Sequence, residues 1–237
     1  MPLLSVIKDV CAVVGVAIPQ SIFSLLPGNR TMQEMLALAN EMVQRIAYDT
    51  RDWTRLRKTV TYNGDGTKTA FDLPNDYKRM LLTAQVWRST STQQPMMFVP
   101  DTDEWLRRRA AGTTTAFAHG EWTILGGQMH IFPAMPVGVS AYFAYLDKNC
   151  VALVGGGYGD VFAADGDGFA LDERLLKLGM IWQWKAQKGS PYAEDMGTYG
   201  DALTYAMGHD SPAPIIVGRS PISSNANVAY PWPVPTP

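Results

Sequence analysis

The apolar residues of this sequence change period near Trp53, and that change excludes both an all-helical and an all-β chain. Before it, Met32, Met35, Leu36, Ala39, Met42, Val43, Ile46 and Ala47 recur at i, i+3, i+4 and i+7, the spacing of one face of an amphipathic helix. Gln33, Asn40, Glu41 and Gln44 fill the opposite face. Thr31 and Glu34 have capping-box spacing and mark the start of this helix. After Trp53, Lys58 to Tyr62 alternates, Asn63-Gly64-Asp65-Gly66 follows, and a second short run ends at Pro74. Asn-Gly and Asp-Gly supply the positive φ angles of a tight turn, so the pattern predicts a β-hairpin.

The β pattern continues to about residue 150. A second hairpin is predicted from Trp122–Leu125 and Met129–Phe132 around Gly126-Gly127-Gln128, and Val137–Leu146 reads as a further strand. Asp101–Ala110 reads as a short helix holding Trp105. Helices flank this region. Residues 4–15 form one, ending near Gly15. Another begins at Leu171, with Asp172 and Glu173 in its first turn and Lys185 and Lys188 in its last, before Gly189, which complements the helix dipole at both ends. Leu171, Leu175, Leu178 and Trp182 are expected to share its apolar face. Ser190 as N-cap and Pro191 at the first position predict a last helix running to about Met207.

The expected class is therefore α+β: a helical bundle with an inserted antiparallel β-rich domain and an extended C-terminal arm. Its parts are residues 1–56 and 151–210 for the bundle, 57–150 for the insertion and 211–237 for the arm. The arm holds seven prolines and one charged residue, Arg219, so it has no helix and no core of its own. Ile215, Ile216, Val217, Tyr230 and Trp232 are apolar enough to order against a partner subunit, the alternative being a solvated tail. The methionine stripe, with Met35 and Met42, packs either on the chain's own core or also against neighbouring subunits.

With 237 residues the chain buries roughly 70% of its unfolded surface and needs neither disulfide nor metal to fold. Cys11 and Cys150 lie in apolar stretches and read as buried thiols of a reducing compartment. The apolar run Val10–Ile18 is too short for a membrane span and is preceded by Lys8 and Asp9 rather than a basic leader, so no membrane is expected. A net charge of −2 lacks the basic excess of proteins that hold nucleic acid through its phosphates.

Motifs for chemistry are sparse. His119, His130 and His209 are dispersed. Gly155–Gly159 lacks the Gly-Lys-Ser/Thr ending of a phosphate loop. Asp165-Gly166-Asp167-Gly168 has the look of a calcium loop, but Leu176 stands where the bidentate glutamate is required, which leaves at most a weak surface cation site with Asp160. Arg107–Arg109 reads as a solvated helix face that could touch phosphate. No catalytic residue, cofactor or metal is expected, and the chain is not expected to be an enzyme.

Taken in order, several strings resemble one family. Tyr48-Asp49-Thr50-Arg51-Asp52-Trp53 closes a long helix, and Asn63-Gly64-Asp65-Gly66-Thr67 and Phe71-Asp72-Leu73-Pro74-Asn75-Asp76-Tyr77-Lys78-Arg79-Met80 follow. Trp122-Thr123-Ile124, Gly126-Gly127, Pro133 and Tyr145 come next, then Asp172-Glu173 and Trp182 through Asp195. This colinear series resembles the head-to-tail adaptor, or head completion, proteins of tailed bacteriophages. The resemblance implies a dodecameric ring beneath the portal protein that extends the DNA channel without reading sequence and docks the tail nozzle or tail tube. It implies a virion location after assembly in the host cytoplasm, and an arm reaching the portal through the apolar residues of 211–237. Subunit contacts would fall on Met35, Met42, Trp182 and Trp184. The alternatives are a carbohydrate- or receptor-binding tail module, from the aromatics Trp87, Trp105, Trp122 and Phe143, and a cell-wall hydrolase.

Overall fold

The computed structural model describes residues 1–91, 94–112 and 118–210. It is a mixed α+β protein, five α-helices with three small sheets between them. The 211–237 arm, with Ile215, Ile216, Val217, Tyr230 and Trp232, lies outside the described residues.

Helix α1 (Leu3–Val14) stops at Gly15, and α2 (Arg30–Gln44) carries the predicted methionine face inward. The predicted capping box does not form. Asn29 is the N-cap, its side-chain oxygen accepting from the Met32 N–H, while Glu34 pairs instead with Arg30 and Lys188. A π turn (Arg45–Asp49) widens the end of α2, and the Ile46 carbonyl there accepts from the Thr50 hydroxyl and the Trp53 indole. Those two bonds swing the chain out of the helix and bury Trp53, which is where the hydrophobic period changes.

Beyond that point the first predicted hairpin is absent. Strand β1 (Arg57–Asn63) pairs with β8 (Ser140–Asp147) over seven residues, and β2 (Ala70–Asp72) crosses to a different sheet to pair with β7 (Gln128–Phe132). The Asn63–Gly66 segment is stitched to residues 135–139 instead, Gly64 donating to the Val139 carbonyl and Gly66 to that of Met135. Gly64 is glycine because a Cβ there would overlap the Met135 and Pro136 carbonyls. A long, uninterrupted register with β8 outcompetes a three-residue local pairing.

Around β8 stand β3 (Tyr77–Met80) and β4 (Trp87–Arg88) on the edge opposite β1. The second sheet runs β2-β7-β6-β5, with β6 (Glu121–Leu125) and β7 joined by the predicted hairpin and β5 (Met97–Phe98) parallel to β6. Gly126 and Gly127 both have positive φ, the requirement of a two-residue primed turn. The two sheets enclose one core of Tyr62, Phe71, Met129, Ile131, Phe143 and neighbours. Helix α3 (Thr102–Ala111), capped by Asp101, lies beside them and buries Trp105.

Helix α4 (Glu173–Gln187), capped by Asp172, packs against α1, α2 and α5 (Ala193–Asp210). Its buried face is Leu175, Leu176, Gly179, Met180 and Trp184, rotated from the predicted one; Leu171, Leu178 and Trp182 are half-buried. Each large side chain buried here contributes about 1.5–3 kcal/mol. Gly189, at φ 70°, and Ser190 close α4 by donating to the carbonyls of Ala186 and Lys185, a Schellman ending. Ser190 is thereby committed to α4 and does not cap α5, which begins at Ala193. A third sheet of β9 (Val151–Ala152), β10 (Tyr158–Gly159) and β11 (Gly168–Phe169) closes over the N-terminus. Strand β8 links the two cores: Ala141, Phe143 and Tyr145 face the sheets, and Leu146 faces the helices.

Candidate functional site

The four residues expected at subunit contacts separate into two groups. Met35 and Met42 are 0% and 1% exposed, inside the chain's own helical core. They have no surface to offer a neighbour, because α4 packs on the methionine face and leaves Gly179 against the end of Met42. Trp184 is also buried, with the Lys188 ammonium 4.6 Å from its ring centroid. Trp182 is half-buried at the α4–α5 edge between Tyr192 and Tyr199, its buried indole N–H without a hydrogen-bond partner among the described residues.

The surface beside Trp182 is the more informative one. Helix α5 is 18 residues long and buries only Ala202. Tyr192, Met196 and Tyr205 are 41%, 50% and 65% exposed on or beside it, and an added Cβ at Gly197, Gly200 or Gly208 would meet nothing. Its end is fastened firmly. The Asp210 carboxylate accepts from the Thr54 N–H at 3.0 Å and lies 3.6 Å from Arg51, which also donates to the Met207 carbonyl. The described chain therefore ends at the joint between helices and sheets.

That joint is polar and ordered. Asp52 accepts from Arg79 at 2.6 Å and from the Leu82 N–H at 3.0 Å. Lys58 bridges Asp76 and Asp147 at 2.6 Å each, and Tyr145 donates to Asp76 at 2.8 Å. Hydrogen bonds to Asp147 and Asp76 hold Lys58 above the usual lysine range, so it is a fixed cation rather than a base or nucleophile. Burial first, then Asp76, pushes the Tyr145 phenol up to about 12.

The residues singled out for chemistry have structural partners. Asp167, 1% exposed, accepts from the N–H groups of Val154, Ala163 and Ala164. Asp165 accepts from Ile22 and Phe23. The acidic loop is thus a clasp on the N-terminal helices. Among the described residues no three His, Cys, Asp or Glu side chains stand together as a metal site. Arg107 and Arg108 pair with Glu104, Arg108 also with the buried Glu121, and Arg109 lies over Trp105 and Phe132. His119 contacts the Ser91 hydroxyl and His209 stacks on Tyr205. Of the aromatics behind the carbohydrate reading, Trp105 and Phe143 are buried and present no stacking platform, while Trp122, 6% exposed, lines a groove. Among the described residues no helix is long and apolar enough to cross a membrane.

One concavity went unread in the sequence. A groove of about 470 Å3 lies between the β3–β4 connection and the β5–β6 edge, lined by Tyr77, Met80, Met96, Phe98, Trp122 and Ile124 among others, none of them charged. The Phe98 and Trp122 ring centroids are 4.5 Å apart; Phe98 is 50% exposed, while Trp122 is 6% exposed and its indole N–H has no partner among the described residues. The available signal was Met96-Met97-Phe98 between Pro95 and Pro100, an apolar run too short to be a core strand. Compared with known protein families and with curated proteins, the chain matches none.

Proposed function

We propose that this chain is a structural head-to-tail adaptor of a tailed bacteriophage, and not an enzyme. It would act as a ring, expected to be dodecameric, seated under the portal protein, extending the DNA channel and receiving the tail nozzle or tube. The observation that carries the reading is α5: a long helix with one buried residue, apolar side chains in solvent, and a fastened C-terminus, followed in sequence by a proline-rich arm with a single charged residue. A monomer gains little from such a helix, whereas a closed ring needs two different unpartnered faces per subunit. The colinear motif series is the second support, since its Asp52, Asp76 and Trp53 are the residues that build the joint from which the arm departs.

On this reading Ile215, Ile216, Val217, Tyr230 and Trp232 reach the portal, Trp182 and the α5 face meet the neighbouring subunit, and DNA passes without sequence-specific contact. The protein would be made in the host cytoplasm and reside at the head–tail interface of the virion. Co-sedimentation with purified portal rings tests it. The full chain should pellet with portal, and a chain lacking residues 212–237 should stay in the supernatant while keeping its circular dichroism. Equal pelleting of both chains rejects the arm's role. Electron microscopy of virions with the protein located away from the portal rejects the adaptor reading altogether.

A further inference from the structure

We infer that the uncharged groove between the β3–β4 connection and the β5–β6 edge is the seat of the chain's own C-terminal segment, Tyr230–Pro237. Three observations converge. The first is chemistry. Tyr230-Pro231-Trp232-Pro233-Val234-Pro235-Thr236-Pro237 has proline at alternate positions, which favours the polyproline II helix and removes half of the backbone N–H donors. Such a segment presents carbonyl acceptors and apolar rings at low ordering cost, and aromatic-lined grooves are the surfaces that take it. The groove offers Tyr77, Phe98 and Trp122, with Met80 and Met96 as adaptable walls.

The second is the Trp122 indole. It is 94% buried by complement of its 6% exposure, lines the groove, and its N–H has no hydrogen-bond partner among the described residues. A buried donor left unsatisfied carries a desolvation penalty, which a proline-preceding carbonyl would recover. No charged side chain has to be desolvated on either side, since the described groove lining and residues 220–237 carry none.

The third is position. The described chain ends at Asp210, held by Thr54. Two residues earlier, Asp52 holds Leu82 and Arg79, which flank the groove residues Met80 and Leu81. The root of the arm and the rim of the groove are thus tied to the same short segment. The stretch from Asp210 to Tyr230 reaches up to about 65 Å when extended at roughly 3.3 Å per residue, ample to return to that rim.

The inference concerns the isolated chain and does not rest on the adaptor reading. It is tested on the full-length protein carrying p-benzoylphenylalanine in place of Trp232, irradiated as a dilute mixture of isotope-labelled and unlabelled chains. Cross-linked peptides are then mapped by mass spectrometry. The expected products join position 232 to residues 77–85 and 95–100 within one chain. Phe98→Glu, on the exposed rim, should reduce them about tenfold without moving the melting temperature, and Trp122→Phe, which keeps the ring and removes the N–H, should reduce them several-fold. Cross-links lying elsewhere, joining only chains of different label, or persisting undiminished in Phe98→Glu overturn the inference. Failure to bind portal rings would leave these products unchanged, so the two readings fail separately.

Discussion

Asp167 shows how a residue with the look of a metal ligand serves the fold instead. Its carboxylate is buried and accepts three backbone N–H groups from two segments, and its own carbonyl accepts from Leu3. Asp167→Ala strands those donors and should cost about 3 kcal/mol in urea denaturation; a loss below about 1 kcal/mol would mean that water replaces the carboxylate. Gly64→Ala should cost about 3 kcal/mol by the same measurement, because the obstruction is backbone and cannot rotate away. The titrating groups set the pH limits. Tyr62 and Tyr145 are each pushed up to about 12, by burial foremost. Raised folded values stabilise the fold fully below the unfolded phenol value near 10 and cease to do so as pH climbs through 12. The melting temperature should therefore fall between about pH 10 and 12, and less steeply in Tyr145→Phe. At the acid end burial raises Asp76 and Asp165, but hydrogen bonds, from Lys58 and Tyr145 in one case and from Ser21, Ile22 and Phe23 in the other, leave both below the ordinary carboxylate value. Their stabilisation is present above that value and is lost as pH falls through the lowered ones.

At the scale of elements, α5 is the outlier. Glycine inside a helix costs up to about 1 kcal/mol relative to alanine, and Gly197, Gly200 and Gly208 have no packing reason among the described residues. Replacing all three with alanine should raise the melting temperature of the isolated protein. If a neighbouring subunit approaches this face closely, the same replacement should lower ring formation on portal, measured by negative-stain microscopy. Assembly unaffected by the triple replacement would remove α5 from the subunit interface. Strand β8 behaves oppositely. It pairs with β1, β3 and β4 and feeds both cores, so local pairing signals near it are overridden. The Asn63–Gly66 turn, legible as a hairpin, became a crossing between sheets for that reason, while the Gly126-Gly127 hairpin, remote from β8, formed as its residues dictate.

At the scale of the whole molecule, the described residues build one helical core and one β core. Deletion of 212–237 should leave the unfolding free energy from urea denaturation within about 0.5 kcal/mol of the full chain, apart from whatever the groove contributes when occupied. The joint at residues 51–58 binds the two cores and the root of the arm through Asp210, Asp52 and Lys58. A partner that pulls on the arm would therefore load the contact between bundle and sheets directly. If both proposals hold, an arm seated in the groove before assembly and drawn out by a portal would couple attachment to exposure of the Phe98–Trp122 surface.

By itself the sequence determined the helices, their approximate ends, the α+β class and the second hairpin. Those follow from periodicity, caps and turn residues, which act over a few neighbours. Tertiary structure alone decided that β1 pairs with β8, that α4 turns Leu176 and Trp184 rather than Trp182 inward, and that Met35 and Met42 are interior. It also made the groove, from residues 77–85, 95–100 and 122–124. Each of these depends on which distant surface offers the longer register or the larger apolar area, and that competition is settled only when the whole chain is folded.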